Sequence, residues 1–331
     1  MSDPVLYTIF AAIVAVLLVI DLFVVQRDTH EVSIKEAAIW SAIWIGVSII
    51  FGLWIARFHD GSGTVIEYFT GYLIEKSLSV DNIFVFVLIF QTLAVPRVYQ
   101  HRVLFYGVLG AIVMRAILIL AGAALVERFE WILYVFGAFL LYVAYKTWRH
   151  RSKSTDITRS RFMRRVRSVL PATADFRGER FFVREHGRLL ATPLLVVLVL
   201  VEFSDLVFAV DSIPAIFAVT RDPFIVLTSN IFAILGLRSL YFLLAGAANR
   251  LRYLKHGLAV ILGFVGVKLL TENIEGIWHP APLQSLGIIC AVLLGVIMLS
   301  LHAARPRKGS EQPAVLAGDR LGARDKRAPE P

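Results

Sequence analysis

The stretch that decides the fold is Glu202-Phe-Ser-Asp-Leu-Val-Phe-Ala-Val-Asp-Ser-Ile-Pro-Ala-Ile-Phe217, which places three carboxylates inside one apolar segment. A second apolar segment carries Glu75 and Asp81. A charged side chain at the centre of a bilayer costs at least about 2.5–3.5 kcal/mol. Acids at this depth therefore need a partner, and a cluster of hard oxygen donors favours a divalent cation.

The composition identifies these apolar segments as membrane spans. Apolar residues make up 57% and charged residues 18% of the 331 residues, and the mean hydropathy is +0.71. An α-helix needs about 20 apolar residues to cross the hydrocarbon core of a bilayer. We therefore predict an all-α polytopic membrane helix bundle with about nine transmembrane helices. The predicted spans are 5–25, 36–56, 65–92, 102–125, 130–148, 192–219, 224–247, 256–272 and 284–303.

The net charge of +9 follows the predicted topology. With the amino terminus outside, the short cytoplasmic loops hold seven basic residues and the outside loops three, in agreement with the positive-inside rule. These residues are Arg27, Lys35, Arg97, Arg102, Arg250, Arg252 and Lys255 inside, and Arg57, Arg128 and Arg221 outside. We predict a transmembrane transporter domain over 1–303, with a cytoplasmic basic loop at 149–191, and a disordered cytoplasmic tail at 304–331. We expect the helices to be embedded in a lipid bilayer, and we do not expect the protein to bind nucleic acid.

The spacing of charged residues repeats in two units, 65–148 and 192–272. In the first unit an aspartate, an arginine and a lysine follow each other at intervals of 34 and 31 residues, and in the second at 33 and 30. These residues are Asp81, Arg115 and Lys146, then Asp205, Arg238 and Lys268. Both units also contain Leu-Ala-Gly-Ala-Ala, at 120–124 and 244–248. Three spans per unit predict an inverted 3+3 repeat, in which substrate binds near the midplane between the halves.

The acids of the first unit lie on a helix that offers further oxygen ligands. Glu75, Ser79 and Asn82 are spaced i, i+4 and i+7 and share one face. Asp81 lies within reach of the same cavity. We therefore predict Glu75 and Asp81 as metal ligands, with Ser79 and Asn82 as possible auxiliary ligands.

The acids of the second unit do not share one face of a straight helix. Glu202 and Asp205 are neighbours, but Asp211 follows Glu202 by nine residues and points to the opposite side. Pro214 removes a backbone donor and crowds the preceding turn. We therefore predict a kink or break near 210–214 that turns Asp211 inward, so that Glu202, Asp205 and Asp211 act as metal ligands with Ser212 as an auxiliary ligand.

The ligand types restrict the cation. No histidine lies deep in a predicted span, and the single cysteine, Cys290, cannot form a thiolate cluster. Carboxylate, amide and carbonyl oxygens suit Mg²⁺, Ca²⁺ or Mn²⁺, whereas an oxyanion such as tellurite would be repelled. Arg115 and Arg238 are predicted counter-ions that neutralise the acids in the absence of metal, and protonation of one or two acids would couple metal export to proton entry. The alternative is that the acids and arginines form structural ion pairs.

The segments Glu75-Lys-Ser-Leu-Ser-Val-Asp-Asn82 and Glu202–Phe217, together with Asp222–Tyr241, resemble the acidic signatures of the TerC/Alx integral membrane family. The resemblance extends to about residue 303. It implies a manganese exporter of the bacterial plasma membrane, within the lysine-exporter-like transporters, with its metal site on Glu75, Asp81, Glu202, Asp205 and Asp211.

Other functions remain open from the residues. The protein could be a membrane partner that supports insertion or metal loading of exported proteins, or an exporter of an organic cation. No nucleophile–base pair or phosphate-binding loop is evident, so an enzyme is not expected, and the expected ion is transported rather than held as a cofactor. The sequence leaves open the metal selectivity, the coupling ion, the oligomeric state and any role in tellurium resistance.

Overall fold

The computed structural model describes residues 3–25, 32–58, 62–149, 173, 175–185, 188–245, 253–271, 274 and 280–303. The predicted tail at 304–331 and residues 150–172 of the predicted basic loop lie outside the described residues. The described part is mostly helical. Its helices are α1 Asp3–Val25, α2 Ile34–Phe58, α3 Ser62–Thr92, α4 Arg97–Arg128, α5 Ile132–Arg149, α6 Pro193–Phe217, α7 Pro223–Leu235, α8 Leu237–Ala245, α9 Leu254–Thr271 and α10 Pro282–Ala303.

Among the described residues, six helices are long and apolar enough to cross a membrane, namely α1, α2, α4, α6, α9 and α10. Helices α7 and α8 together make a seventh span, bent by 43° between them. The predicted nine spans are therefore not confirmed. Helix α3 is 31 residues long but carries Glu75, Lys76 and Asp81 near its middle. Helix α5 has Lys146 and Arg149 in its last turn. These charges lower the hydropathy of α3 and α5, and neither helix is among the six.

The centre of the bundle is formed by α3, α4, α6 and α7. Helix α3 packs against α6 and α7, helix α4 packs against the same two helices, and α5 packs along α9. The α5–α9 contact is close because glycines meet there. A Cβ atom on Gly137 would lie 3.1 Å from the Gly266 carbonyl oxygen, and one on Gly266 would lie 3.0 Å from that of Gly137. Small residues allow helix backbones to approach in this way inside a membrane.

The first two helices lie against the broken helix of the second unit. Helix α2 contacts α7 and α8. Helix α1 contributes Phe10, whose ring lies 6.2 Å from Phe224 and 6.0 Å from Phe232 between centroids. Aromatic packing of this kind adds to the stabilisation from buried area.

A short β-hairpin departs from the all-α expectation. Strands β1 Phe182–Glu185 and β2 Arg188–Ala191 pair in antiparallel register within the predicted basic loop. The segment before the hairpin is tied to the start of α4, since Arg102 donates to Glu179 at 3.0 Å. The hairpin leads directly into α6.

A kink or break was predicted near 210–214, and the structure shows no break there, because α6 is one continuous helix to Phe217. Pro214 lies in the last turn of α6, where its missing N–H removes a bond only to the Val210 carbonyl and few residues follow. The bend in this half of the chain falls instead at Gly236, between α7 and α8.

Candidate functional site

The guanidinium group of Arg115, on α4, lies at the centre of the site. Arg115 is fully buried, and its Nε and Nη2 atoms each donate to a different carboxylate oxygen of Asp205 at 3.0 Å. Its Nη1 atom donates to Glu75, to the Ser212 hydroxyl at 3.2 Å and to the Asn230 carbonyl oxygen at 3.3 Å. One cation thus joins side chains from α3, α6 and α7.

The two carboxylates in this cluster are as buried as the arginine. Glu75 is 0% and Asp205 2% exposed, and each has an amide donor besides Arg115. Asn230 donates to Glu75 at 3.1 Å, and Asn82 lies 3.4 Å from Asp205. Buried ion pairs persist only when further hydrogen bonds satisfy the charges. One guanidinium thus serves two carboxylates.

A cavity of about 50 Å³ adjoins the cluster. This volume holds one small ion with one or two waters. Its polar lining brings Asp81 of α3 and Asp211 of α6 to the same space as Glu75 and Arg115. The remaining lining residues are Leu78, Asn82, Val143, Thr147, Phe208, Ser212, Leu258 and Leu262. The cavity therefore offers carboxylate, amide and hydroxyl oxygens between apolar walls.

Lysines from the flanking helices interact electrostatically with the two cavity acids. Lys146 attracts Asp211, and Lys255 attracts Asp81. Both lysines belong to helices that line the cavity, α5 and α9. As arranged, the described residues contain no three Asp, Glu, His or Cys side chains grouped to hold one metal ion. Arg115 lies between Glu75 and Asp205 and pairs with both.

The structure separates Glu202 from the cavity. Its carboxylate lies directly over the α-carbon of Gly110 on α4, where a Cβ atom would overlap it. Gly110 and Leu198 line an apolar groove of about 580 Å³ on the outside of α4 and α6. The carboxylates of Glu202 and Asp205 repel each other electrostatically. Glu202 is not among the residues that line the cavity.

The other predicted site residues fall in different places. Arg238 does not join the acids of the cavity; its Nη2 atom donates to Asp21 of α1 at 2.7 Å. Ser79 is fully buried, and its hydroxyl has no hydrogen-bond partner among the described residues. Ser212 and Asn82 lie in the cluster, as given above. Asn230 was missed by the sequence analysis, although the polar run Thr228-Ser-Asn230 inside an apolar helix was its signal.

These features define a polytopic helical membrane protein with a buried ionic cluster at its centre. The profile of the integral membrane protein TerC family matches residues 60–308, and the chain belongs to this family. It is 49% identical to "Uncharacterized membrane protein STKORF319" of Myxococcus xanthus, over 95% of this chain and 98% of that protein. It is 48% identical to "Putative membrane-bound redox modulator Alx" of Escherichia coli K12, over 90% of this chain and 95% of that protein. No solved structure matches the chain.

Proposed function

We propose that this protein exports a divalent metal ion, Mn²⁺, from the cytosol through its intramembrane acidic cavity. The proposed ligands are Glu75, Asp81, Asp205 and Asp211, with the amides of Asn82 and Asn230 as neutral ligands. Hard oxygen ligands of this kind suit Mn²⁺ and its competitors Mg²⁺ and Ca²⁺. The proposed location is the bacterial inner membrane, with the amino terminus outside and the carboxyl terminus in the cytoplasm.

The observation that carries this proposal is the bridge from Arg115 to Glu75 and Asp205, next to a cavity with two further acids. A guanidinium group between two carboxylates stands where a transported cation would bind. Metal would displace Arg115, and Arg115 would return after release. Such an internal counter-ion avoids leaving unpaired charges in the membrane during the return of the empty transporter, which would be costly. Protonation of the acids would serve the same purpose and would couple export to proton entry.

The helix packing supports the inverted repeat that we propose for α3–α5 and α6–α9. The contact of α3 with α7 has its counterpart in the contact of α6 with α4, and α5 packs against α9. A pseudo-twofold axis in the membrane plane would exchange these pairs. Transporters built in this way rock one half against the other around a central site.

The relatives named as redox modulators raise the question of thiol chemistry. Exchange between a dithiol and a disulfide requires two sulfurs, and this chain has a single cysteine, Cys290. Cys290 lies on α10 and is partly exposed. An intramolecular disulfide switch is therefore not available to this chain, which favours ion transport over direct thiol exchange.

The test is metal uptake into inside-out vesicles that contain the wild type or the Asp205→Asn variant. We expect Asp205→Asn to lower the Mn²⁺ uptake rate at least about tenfold, because a ligand and an ion-pair partner are lost together. The matched control is Glu127→Gln, which changes an exposed acid at the end of α4 and should transport Mn²⁺ normally.

Competition by Mg²⁺, Ca²⁺ and Zn²⁺ measures the metal selectivity, and an imposed pH gradient tests the coupling to protons. Normal Mn²⁺ uptake by Asp205→Asn would instead favour a role as a membrane partner protein.

A further inference from the structure

Lys76 follows Glu75 on α3 but does not join the ionic cluster. Its Nζ atom donates to the carbonyl oxygen of Ala233 at 3.1 Å. Ala233 lies in the last turn of α7, which ends at Leu235 before the 43° bend. Carbonyl groups in the last turn of a helix lack intrahelical donors and carry the negative end of the helix dipole. The ammonium group of Lys76 therefore provides a charged donor to the broken end of α7.

The space for this ammonium group depends on Gly236. A Cβ atom at Gly236 would lie 2.8 Å from the Nζ atom of Lys76 and 3.1 Å from the Cβ atom of Trp44. A Cβ atom there would force the end of the Lys76 side chain to shift and would contact Trp44 tightly. Side chains from α2 and α3 thus meet the backbone of the bend.

Helix α7 also contacts the cluster one turn earlier. Asn230 precedes Ala233 by three residues, and its amide group donates to Glu75 and accepts from Arg115. Two consecutive residues of α3 therefore hold two successive turns of α7, with Glu75 at Asn230 and Lys76 at Ala233. Any shift of the end of α7 relative to α3 would move the Asn230 amide away from the carboxylate of Glu75.

We propose that Lys76 is a positioning residue of the cation site, which holds the broken end of α7 and thereby places Asn230 beside Glu75. This inference rests on the proposed function, because the site that Lys76 positions is the proposed cation site. When metal replaces Arg115, the Asn230 amide becomes a neutral oxygen ligand at a fixed distance from Glu75. The contact between Lys76 and Ala233 would then determine the distance between the Glu75 carboxylate and the Asn230 amide around the ion.

The first experiment measures Mn²⁺ transport kinetics in vesicles for Lys76→Met and Lys76→Arg. We expect Lys76→Met to raise KM about tenfold, the size of one lost hydrogen bond from a charged donor, with Vmax within about twofold of wild type. Lys76→Arg keeps a charged donor and should restore most of the affinity. In the Asn230→Ala background, Lys76→Met should raise KM no further, because Lys76 acts through Asn230. An unchanged KM in Lys76→Met, or full additivity with Asn230→Ala, would overturn the proposal.

The second experiment follows the position of α7 without any transport. A Cβ atom on Gly71 of α3 would lie 3.4 Å from the Cβ atom of Ser229 on α7, close to the spacing in a disulfide. The Gly71→Cys/Ser229→Cys pair, with Cys290→Ala, should cross-link readily on mild oxidation. Adding Lys76→Met should lower the cross-linking yield several-fold, whereas Lys76→Arg should preserve it. An undiminished yield with Lys76→Met contradicts the positioning role even if Mn²⁺ is not the substrate, so failure of the two proposals can be told apart.

Discussion

The charge balance around Arg115 makes one substitution especially informative. Arg115→Met keeps most of the aliphatic part of the side chain but removes the guanidinium group that bridges Glu75 and Asp205. Removing one partner of a buried ion pair costs about 3–5 kcal/mol, because the remaining charge stays buried and unpaired. At roughly 2 °C per kcal/mol for a chain of this size, we expect Tm to fall by about 6–10 °C.

The same substitution should make Mn²⁺ a better stabiliser. Without Arg115, the two carboxylates no longer have an internal competitor for the ion. Binding to the folded state alone stabilises it by about 2.7 kcal/mol at a metal concentration 100 times Kd. Mn²⁺ should therefore recover much of the lost Tm in Arg115→Met, while it raises the Tm of the wild type by less.

The assay is thermal unfolding of detergent-purified protein with and without Mn²⁺. A triple variant, Arg115→Met with Glu75→Gln and Asp205→Asn, is the control, because it removes the unpaired charges together with the arginine. Its Tm should lie above that of Arg115→Met and should not respond to Mn²⁺. A Tm for Arg115→Met equal to that of the wild type, or an equal response of both proteins to Mn²⁺, would refute the proposed competition between Arg115 and metal.

Two further predictions concern contacts outside the cavity. Asp21→Asn removes the carboxylate that accepts from the buried Arg238 and should lower the free energy of unfolding by about 3–5 kcal/mol, as the loss of a buried ion-pair partner does. Arg238→Gln added to it should recover part of this loss, and additive losses would contradict the pairing. Gly137→Ala places a Cβ atom 2.8 Å from the Cγ atom of Leu270 and 3.1 Å from the carbonyl oxygen of Gly266 and should cost about 1–3 kcal/mol through overpacking. Gly46→Ala, where a Cβ atom meets nothing within 4 Å, is the control and should be neutral or slightly stabilising in the same unfolding assay.

Much of the architecture could be predicted from the sequence because membrane helices leave long apolar runs. Each predicted span overlaps a helix or, for 224–247, the bent pair α7 and α8. The two-stranded hairpin was missed because its strands are four residues each and lie in a basic loop without clear alternation. A kink or break was predicted near 210–214, but α6 is unbroken there, since a proline in the last turn of a helix disturbs few hydrogen bonds. The break between helices lies at Gly236.

The proximity of the predicted acids could be foreseen in part. Residue types and spacing identified Glu75, Asp81, Asp205 and Asp211, and the structure brings them to one cavity and its adjoining cluster. Spacing along the chain could not show that Glu202 packs on α4 instead. That outcome depends on the rotation of α6 about its own axis and on how closely α4 approaches it.

The sequence by itself determined that apolar helices carry acids and arginines at membrane depth, since composition and spacing are local properties of the chain. Only the tertiary structure decided which arginine meets which acid: Arg115 bridges Glu75 and Asp205, whereas Arg238 pairs with Asp21. The two arginines occupy matching positions in the repeated spacing, so their local sequence signals are alike. Their partners differ because an ion pair forms between neighbouring helices, and the packing of the first two helices against α7 and α8 brings the carboxylate of Asp21 to Arg238.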